Sequence, residues 1–206
     1  MKKVILLIFL IVIAGHYSFG QFLSDSAGFS QVIAFQKELN MKFLNPEESP
    51  LKKEDLRVFK ELDFFPVNLN FKIIAEFKRV PNFDTIKMKT TTSRTPDYFK
   101  YAELIFYIDS NKFKLNVYQN LELSNTREYQ NSLFLPFTDL TTGGESYGGG
   151  RYIDLEIPQG KTIVLDFNSS YNPYCAYDDR YSCPVPPAEN FIEYEIKAGV
   201  KNWKSN

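Results

Sequence analysis

The middle of this chain repeats with a period of two, and that pattern restricts its fold more than any motif does. In the segment 71–78, Phe71, Ile73, Ala75 and Phe77 alternate with Lys72, Ile74, Glu76 and Lys78, as a strand with one buried face requires. Residues 101–108 and 112–119 predict a hairpin turned by Asp109-Ser110-Asn111. Its second arm sends Phe113, Leu115 and Val117 one way and Lys112, Lys114 and Asn116 the other. Further on, Arg151, Ile153, Leu155 and Ile157 alternate with Tyr152, Asp154 and Glu156. Ile163, Leu165 and Phe167 then alternate with Thr162, Val164, Asp166 and Asn168. Read as a second hairpin around Pro158-Gln159-Gly160, these arms pair Leu155 with Ile163, Ile153 with Leu165 and Tyr152 with Asp166. A slip of one residue would invert every side chain. This register gathers Tyr152, Asp154, Asp166 and Asn168 on one polar face and leaves Arg151 beside Phe167 at the end of the apolar face. A last strand is expected at Ile192, Tyr194 and Ile196.

Before the strands the period is helical. Phe29, Val32, Ile33, Leu39 and Phe43 predict an amphipathic helix over 24–45, stopped by Asn45-Pro46. Ser49-Pro50 reads as a cap with proline in the first turn, and Leu51, Leu56, Phe59 and Leu62 give a short second helix. Thr90 to Asp97 and Ser124 to Asn131 are polar connections. The expected fold is mainly β, an antiparallel sandwich or partly closed barrel with an N-terminal helical segment. The helical flank covers 24–62 and the β region 67–206, within one domain over 21–206.

Residues 1–20 read as a signal peptide. Lys2 and Lys3 precede the apolar run Val4 to Ala14, and Ser18 and Gly20 are small residues ahead of a cut before Gln21. An uncleaved anchor is the alternative. The mature protein is then exported, periplasmic or extracellular, and meets the membrane only during export. The cut removes His16, the sole histidine of the chain. Ser-His-Asp catalysis, Cys-His catalysis and histidine-ligated zinc are thereby closed to the mature protein. Removing Lys2 and Lys3 also leaves 22 basic against 25 acidic residues, a net charge of −3, which gives no basic face for nucleic acid.

The chemistry is concentrated between Phe137 and Asn190, which hold both cysteines, Gly143-Gly144, Gly148-Gly149-Gly150 and many Tyr, Asp and Asn residues. The glycines lead into a strand without a GK[ST] sequence, so they suit tight turns or close backbone approach rather than a phosphate. Asp139, Asp166 and Glu189 are the candidate catalytic carboxylates, since paired carboxylates can run acid–base chemistry without histidine. Tyr147, Arg151, Tyr152, Asp154, Asn168, Tyr171, Asn172 and Asn190 are the candidate ligand-binding residues, with Tyr177 a further stacking platform. The plain alternative is that the Asp and Asn side chains cap turns, the tyrosines pack, and Arg151 forms a buried pair with Asp139 or Glu189. Cys175 and Cys183 first suggest a disulfide closing a small loop in an oxidising compartment. Free thiols or a zinc site completed by carboxylates are the alternatives. No cofactor or resident metal is expected.

The runs GGGRYIDLEIP, LDFNSSYNPYCAY and YSCPVPPAENF, with the closing IKAG, resemble an uncharacterised family of bacterial proteins known as a domain of unknown function. FKELDFFPVNLNFKIIAEF and TTTSRTPDY upstream fit the same pattern. Thr142 stands where that family usually has Asn, and Val200 where its ending usually reads AGEK. The resemblance implies an identity and no reaction. From the residues themselves, the expected function is an exported small-molecule or glycan binding module built on 137–190. The alternatives are a histidine-free, carboxylate-dependent hydrolase of a glycan or cell-envelope polymer, and an envelope assembly partner with an exposed apolar patch. Two carboxyls facing across a cleft would favour the enzyme, and one carboxyl among tyrosines would favour binding.

Overall fold

A computed structural model describes residues 26–81 and 85–203. The expected signal peptide and the predicted helix start at Ser24 lie outside the described residues. Helix α1 spans 26–44. It buries Val32 and Phe43, and Leu39 packs against the cluster that holds Phe43, whereas Phe29 and Ile33 are exposed, so its apolar stripe is narrower than expected. Asn45 ends it by accepting the Glu47 N–H. Helix α2 is confined to Lys53–Val58, and none of its residues is buried. Ser49 Oγ instead accepts the Leu51 N–H, which seats Leu51 rather than capping α2. Leu51, Phe59 and Leu62, on either side of α2, join Phe43, Tyr177 and Val200 in a small cluster. That cluster holds the helical flank to the C-terminal segment.

The strands are β1 (Lys72–Arg79), β2 (Thr85–Lys87), β3 (Asp97–Ile108), β4 (Asn111–Asn120), β5 (Ser132–Asp139), β6 (Arg151–Glu156), β7 (Thr162–Asp166) and β8 (Phe191–Ile192). They form one curled, half-barrel sheet in the order β6-β5-β4-β3-β1-β7, with β2 on β3 and β8 on β5. The fold is thus mainly antiparallel β with an N-terminal helix, as the periodicities imply. The β3–β4 hairpin turns at Asp109, which takes a positive φ of 53°. Inside the curl, Ala75, Leu104, Leu115, Leu135, Phe137, Leu165 and Phe167 have no accessible surface. Of these, Ala75, Leu115, Leu165 and Phe167 are positions the period of two assigns to the buried face.

The 151–168 hairpin does not exist. β6 pairs with β5, placing Leu133 opposite Leu155 and Leu135 opposite Ile153. β7 pairs with β1, placing Ile73 opposite Leu165 and Lys72 opposite Asp166. β6 and β7 are thus the two ends of the strand order, and 157–161 joins them without a turn that pairs them. The open edge of β6 is filled by Tyr171. The Tyr152 N–H donates to the Tyr171 carbonyl at 2.9 Å and the Tyr171 N–H donates back at 3.0 Å. The expected last strand is also shorter. β8 has two residues and runs parallel to β5, opposite Thr138 and Asp139. Among the described residues, no helix is long and apolar enough to cross a membrane.

Candidate functional site

Strand β6 sends alternate side chains to opposite sides of the sheet, and the two sides have different chemistry. Arg151 points inward and is 1% exposed. Its guanidinium donates to Asp139 Oδ2 at 3.1 Å, to the Ile196 carbonyl at 2.8 Å and to the Ala198 carbonyl, between the rings of Phe65 and Phe137. Burial pulls the guanidinium pKa down while Asp139 opposes the shift. Asp139 also accepts from Thr141 Oγ1, Thr142 Oγ1 and the Ile196 N–H. This cluster ties β5, β6 and the C-terminal segment together, and it leaves the Asp139 carboxylate saturated.

The buried asparagines have similar surroundings. β4 and β5 share one register pair, Tyr118 with Phe134, and beyond it Asn190 acts as a substitute ladder residue. Its Oδ1 accepts the Asn116 N–H at 2.9 Å, and its Nδ2 donates to the carbonyls of Asn116 and Pro136. Asn168 bonds both backbone groups of Asn68 and the Asp166 carboxylate, which in turn caps the turn at Asn168. Asn172 donates to the Lys201 carbonyl. Tyr177 is buried against Phe43 and Trp203. Glu189 accepts from the Tyr118 hydroxyl at 3.2 Å. Asp139, Asp166 and Glu189 therefore sit in three separate hydrogen-bonded settings and do not face one another across a cleft.

Tyr152 and Asp154 point outward, and there the sheet carries a cavity of about 720 Å³. Phe134, paired opposite Asp154, and Tyr98 form its floor. Phe35, Glu38, Leu39 and Lys42 of α1 form one wall, and residues of the segment 171–184 form the other. The rings make a continuous series. Tyr98 meets Phe134 at 5.8 Å, Phe134 meets Tyr152 edge-on at 4.7 Å, and Tyr152 meets Tyr171 edge-on at 5.9 Å. A second lobe of about 490 Å³ continues toward Glu156, and the two lobes share Tyr98, Leu123, Tyr129, Phe134 and Asp154.

Asp154 is the carboxylate at this junction. It is open to the cavity, yet the aromatic walls withdraw bulk water, and that desolvation raises its pKa. The Tyr171 hydroxyl donates to Oδ2 at 2.7 Å and Lys42 acts at longer range, both opposing the shift. Lys42 lies 5.6 Å from the Tyr174 ring centroid, and its bond with Tyr174 raises its pKa. Burial raises the pKa of Tyr98, Tyr152 and Tyr171, so these phenols stay neutral. The Tyr152 hydroxyl donates to the Pro184 carbonyl and so ties β6 to the wall.

The expected Cys175–Cys183 bridge is not formed in the structure. Both are free thiols, and the Cys175 N–H donates to Cys183 Sγ at 3.2 Å. Tyr147 stands beside them, outside the cavity lining, with its hydroxyl 3.9 Å from Cys175 Sγ. Among the described residues, no group of three or more His, Cys, Asp or Glu is placed to hold a metal. The triple glycine has a steric role. Gly150 has φ of +83°, and a Cβ there would lie 2.6 Å from the Phe137 carbonyl.

Of the sequence candidates, Tyr152, Asp154, Tyr171 and Cys183 line the cavity. Tyr147, Arg151, Asn168, Asn172 and Asn190 lie elsewhere. Phe35, Lys42, Tyr98, Tyr129, Phe134, Tyr174 and Tyr181 complete it without having been singled out from the sequence. Tyr174 and Tyr181 were within reach as aromatics of the same dense stretch. The others come from segments up to about a hundred residues away, and only the fold brings them in.

The model of a family described as "Protein of unknown function (DUF1684)" matches residues 57–201. The solution NMR structure of an uncharacterized protein from Haloarcula marismortui is similar to this chain over most of its length. It has a TM-score of 0.67 and 32% sequence identity, over 86% of this chain and 96% of that one. Among curated proteins, none matches.

Proposed function

The chain belongs to the DUF1684 family, and from that premise we propose that it is an exported binding protein whose aromatic cleft takes a glycan segment of at least two sugar rings. The supporting observation is a carboxylate open to solvent at the junction of two lobes, surrounded by aromatic rings. A sugar offers C–H faces that stack on rings and vicinal hydroxyls that donate to a carboxylate. The volume of the larger lobe is in the range of ligand sites. A continuous pair of lobes suits an oligomer better than a single ring. Glu38, Lys42 and Asp154 all line the larger lobe, two acidic groups and one basic one, a set of donors and acceptors that suits the hydroxyls of a polyol.

The test is thermal unfolding and calorimetry against mono-, di- and trisaccharides of cell-envelope type. At a hundredfold excess over Kd, binding should stabilise the fold by about 2.7 kcal/mol, with di- and trisaccharides tighter than monosaccharides. Asp154→Asn should weaken binding at least tenfold. Equal binding by that variant, or no saccharide binding at all, would sink the proposal.

A second reading, a hydrolase of the same polymer, draws on Glu156 in the second lobe. It lies two residues along β6 from Asp154, on the same face of the strand, so the second lobe is lined by two carboxyl groups, the residue type that histidine-free hydrolysis uses. Release of new reducing ends, lost in both Asp154→Asn and Glu156→Gln, would favour it. Binding without release would exclude it.

A further inference from the structure

The two cysteines form an unequal pair at the edge of the cavity. Cys183 is buried and lines the cavity, whereas Cys175 is partly exposed. The Cys175 N–H donates to Cys183 Sγ at 3.2 Å and the two thiols interact with each other, so the sulfurs are neighbours. The segment around Cys183 is clamped from the 88–96 loop. The Cys183 N–H donates to Thr91 Oγ1 at 3.1 Å, the Thr91 N–H donates to the Cys183 carbonyl at 2.9 Å, and Arg94 Nη2 donates to the Ser182 carbonyl. On the other side, Tyr147 is pressed so closely over Gly149 that a Cβ there would lie 2.5 Å from its ring. Tyr147 therefore holds its hydroxyl beside Cys175 Sγ.

We propose that Cys175 and Cys183 form a redox-active dithiol, with Cys175 the attacking sulfur and Cys183 the resolving one, whose co-reactant is a low-molecular-weight disulfide. The Cys175 thiolate attacks one sulfur of the disulfide RSSR. The Cys175–S–S–R bond forms, the RS–SR bond breaks, and the first RS⁻ leaves. The Cys183 thiolate then attacks Cys175 Sγ, forming the intramolecular bond and expelling the second RS⁻. The two thiol protons end on the two released thiolates, so two protein thiols are oxidised as one disulfide is reduced to two RSH. The electrostatics fit this division of labour. The hydrogen bond from Cys183, with smaller contributions from Tyr147 and Thr91, brings the Cys175 thiol down to about 6, while its bond to Cys175 and burial push Cys183 up. A lowered, accessible thiol is the form in which cysteine attacks. The titratable groups facing the pair are Tyr147 and Tyr152, both kept neutral by burial. Because Cys183 and its neighbours Ser182 and Pro184 line the cavity, the bond also sets the rigidity of that wall.

The experiment treats the folded protein with glutathione disulfide in a graded glutathione buffer. It reads intact mass after acid quench and maps limiting alkylation. The expected result is a reversible, two-electron loss of two hydrogens, with first alkylation on Cys175. Cys183→Ser should stop at one glutathione adduct on Cys175, and Cys175→Ser should stay unmodified. Equal alkylation of both thiols would overturn the proposal, as would adducts on both without loss of hydrogens. A bond that resists excess reduced thiol in the folded state would mark an inert staple and overturn it too. Should a serine variant fail to fold, the wild-type mass titration and alkylation map still decide.

Discussion

Strand β6 divides two regions built from the same few residues. On its inner side, Arg151 and Ile153 face a space where the Arg151 guanidinium and the Asp139 carboxylate are held by protein partners, with Arg151 Nε left unpaired. Asp139 alone takes hydrogen bonds from four residues. On its outer side, Tyr152 and Asp154 face a cavity in which a carboxylate keeps lone pairs free of protein donors, apart from one tyrosine hydroxyl. A buried charge is tolerated when it is paired and hydrogen-bonded, and such a group is unavailable to a ligand. A desolvated but incompletely satisfied carboxylate is the reverse, a cost to stability that a ligand can offset. The comparison separates residues that hold the fold from residues left free to act.

The largest expected effect is on the inner side. Arg151→Ala should cost about 3–5 kcal/mol in urea unfolding, because it leaves Asp139 buried and unpaired; a loss below about 1 kcal/mol would erase the distinction between the sides. Next, Asn190→Ala should cost about 2–3 kcal/mol. It exposes no surface but strands the Asn116 N–H and two carbonyls where β4 and β5 separate. Tyr152→Phe keeps the ring and removes only the bond to the Pro184 carbonyl, so about 1 kcal/mol is expected. Hydrogen exchange should quicken in the cavity wall before it does in the core.

Asp154→Asn should move stability least and in the opposite direction. The folded pKa of Asp154 is raised above its ordinary 3.8, so the folded state binds the proton more tightly than the unfolded one. Its contribution is most favourable below that value and declines as pH rises through the folded pKa. The variant should gain relative to wild type between pH 4 and pH 7 in thermal unfolding. A variant that instead loses ground over that interval would place Asp154 with the structural residues.

The alternation of Arg151, Tyr152, Ile153 and Asp154 separated the sides in the sequence itself. It put Arg151 on the apolar face and Tyr152 with Asp154 on the other, and the plain reading of Arg151 paired with Asp139 describes its setting. The partner of β6 was not legible. Two alternating arms around Pro158-Gln159-Gly160 suit a hairpin equally well as two edge strands, and local residues carry no term for how far a sheet curls. Nor could spacing separate Asn190, which replaces a ladder residue, from an asparagine aimed at a ligand.

What the sequence determined by itself was therefore local: strand periods, the β3–β4 turn, the two helical segments, and which face each side chain takes. These follow from backbone geometry and solvation acting over a few residues. The cavity was decided by tertiary structure alone. Lys42, Tyr98, Phe134 and Tyr174 come together only because the sheet curls around its core and α1 and the 171–184 segment cover the opposite face. The physical reason is that burial and desolvation depend on what packs against a residue from distant parts of the chain. The same carboxylate pattern, two residues apart, is an ordinary solvated strand edge until an aromatic wall is laid over it.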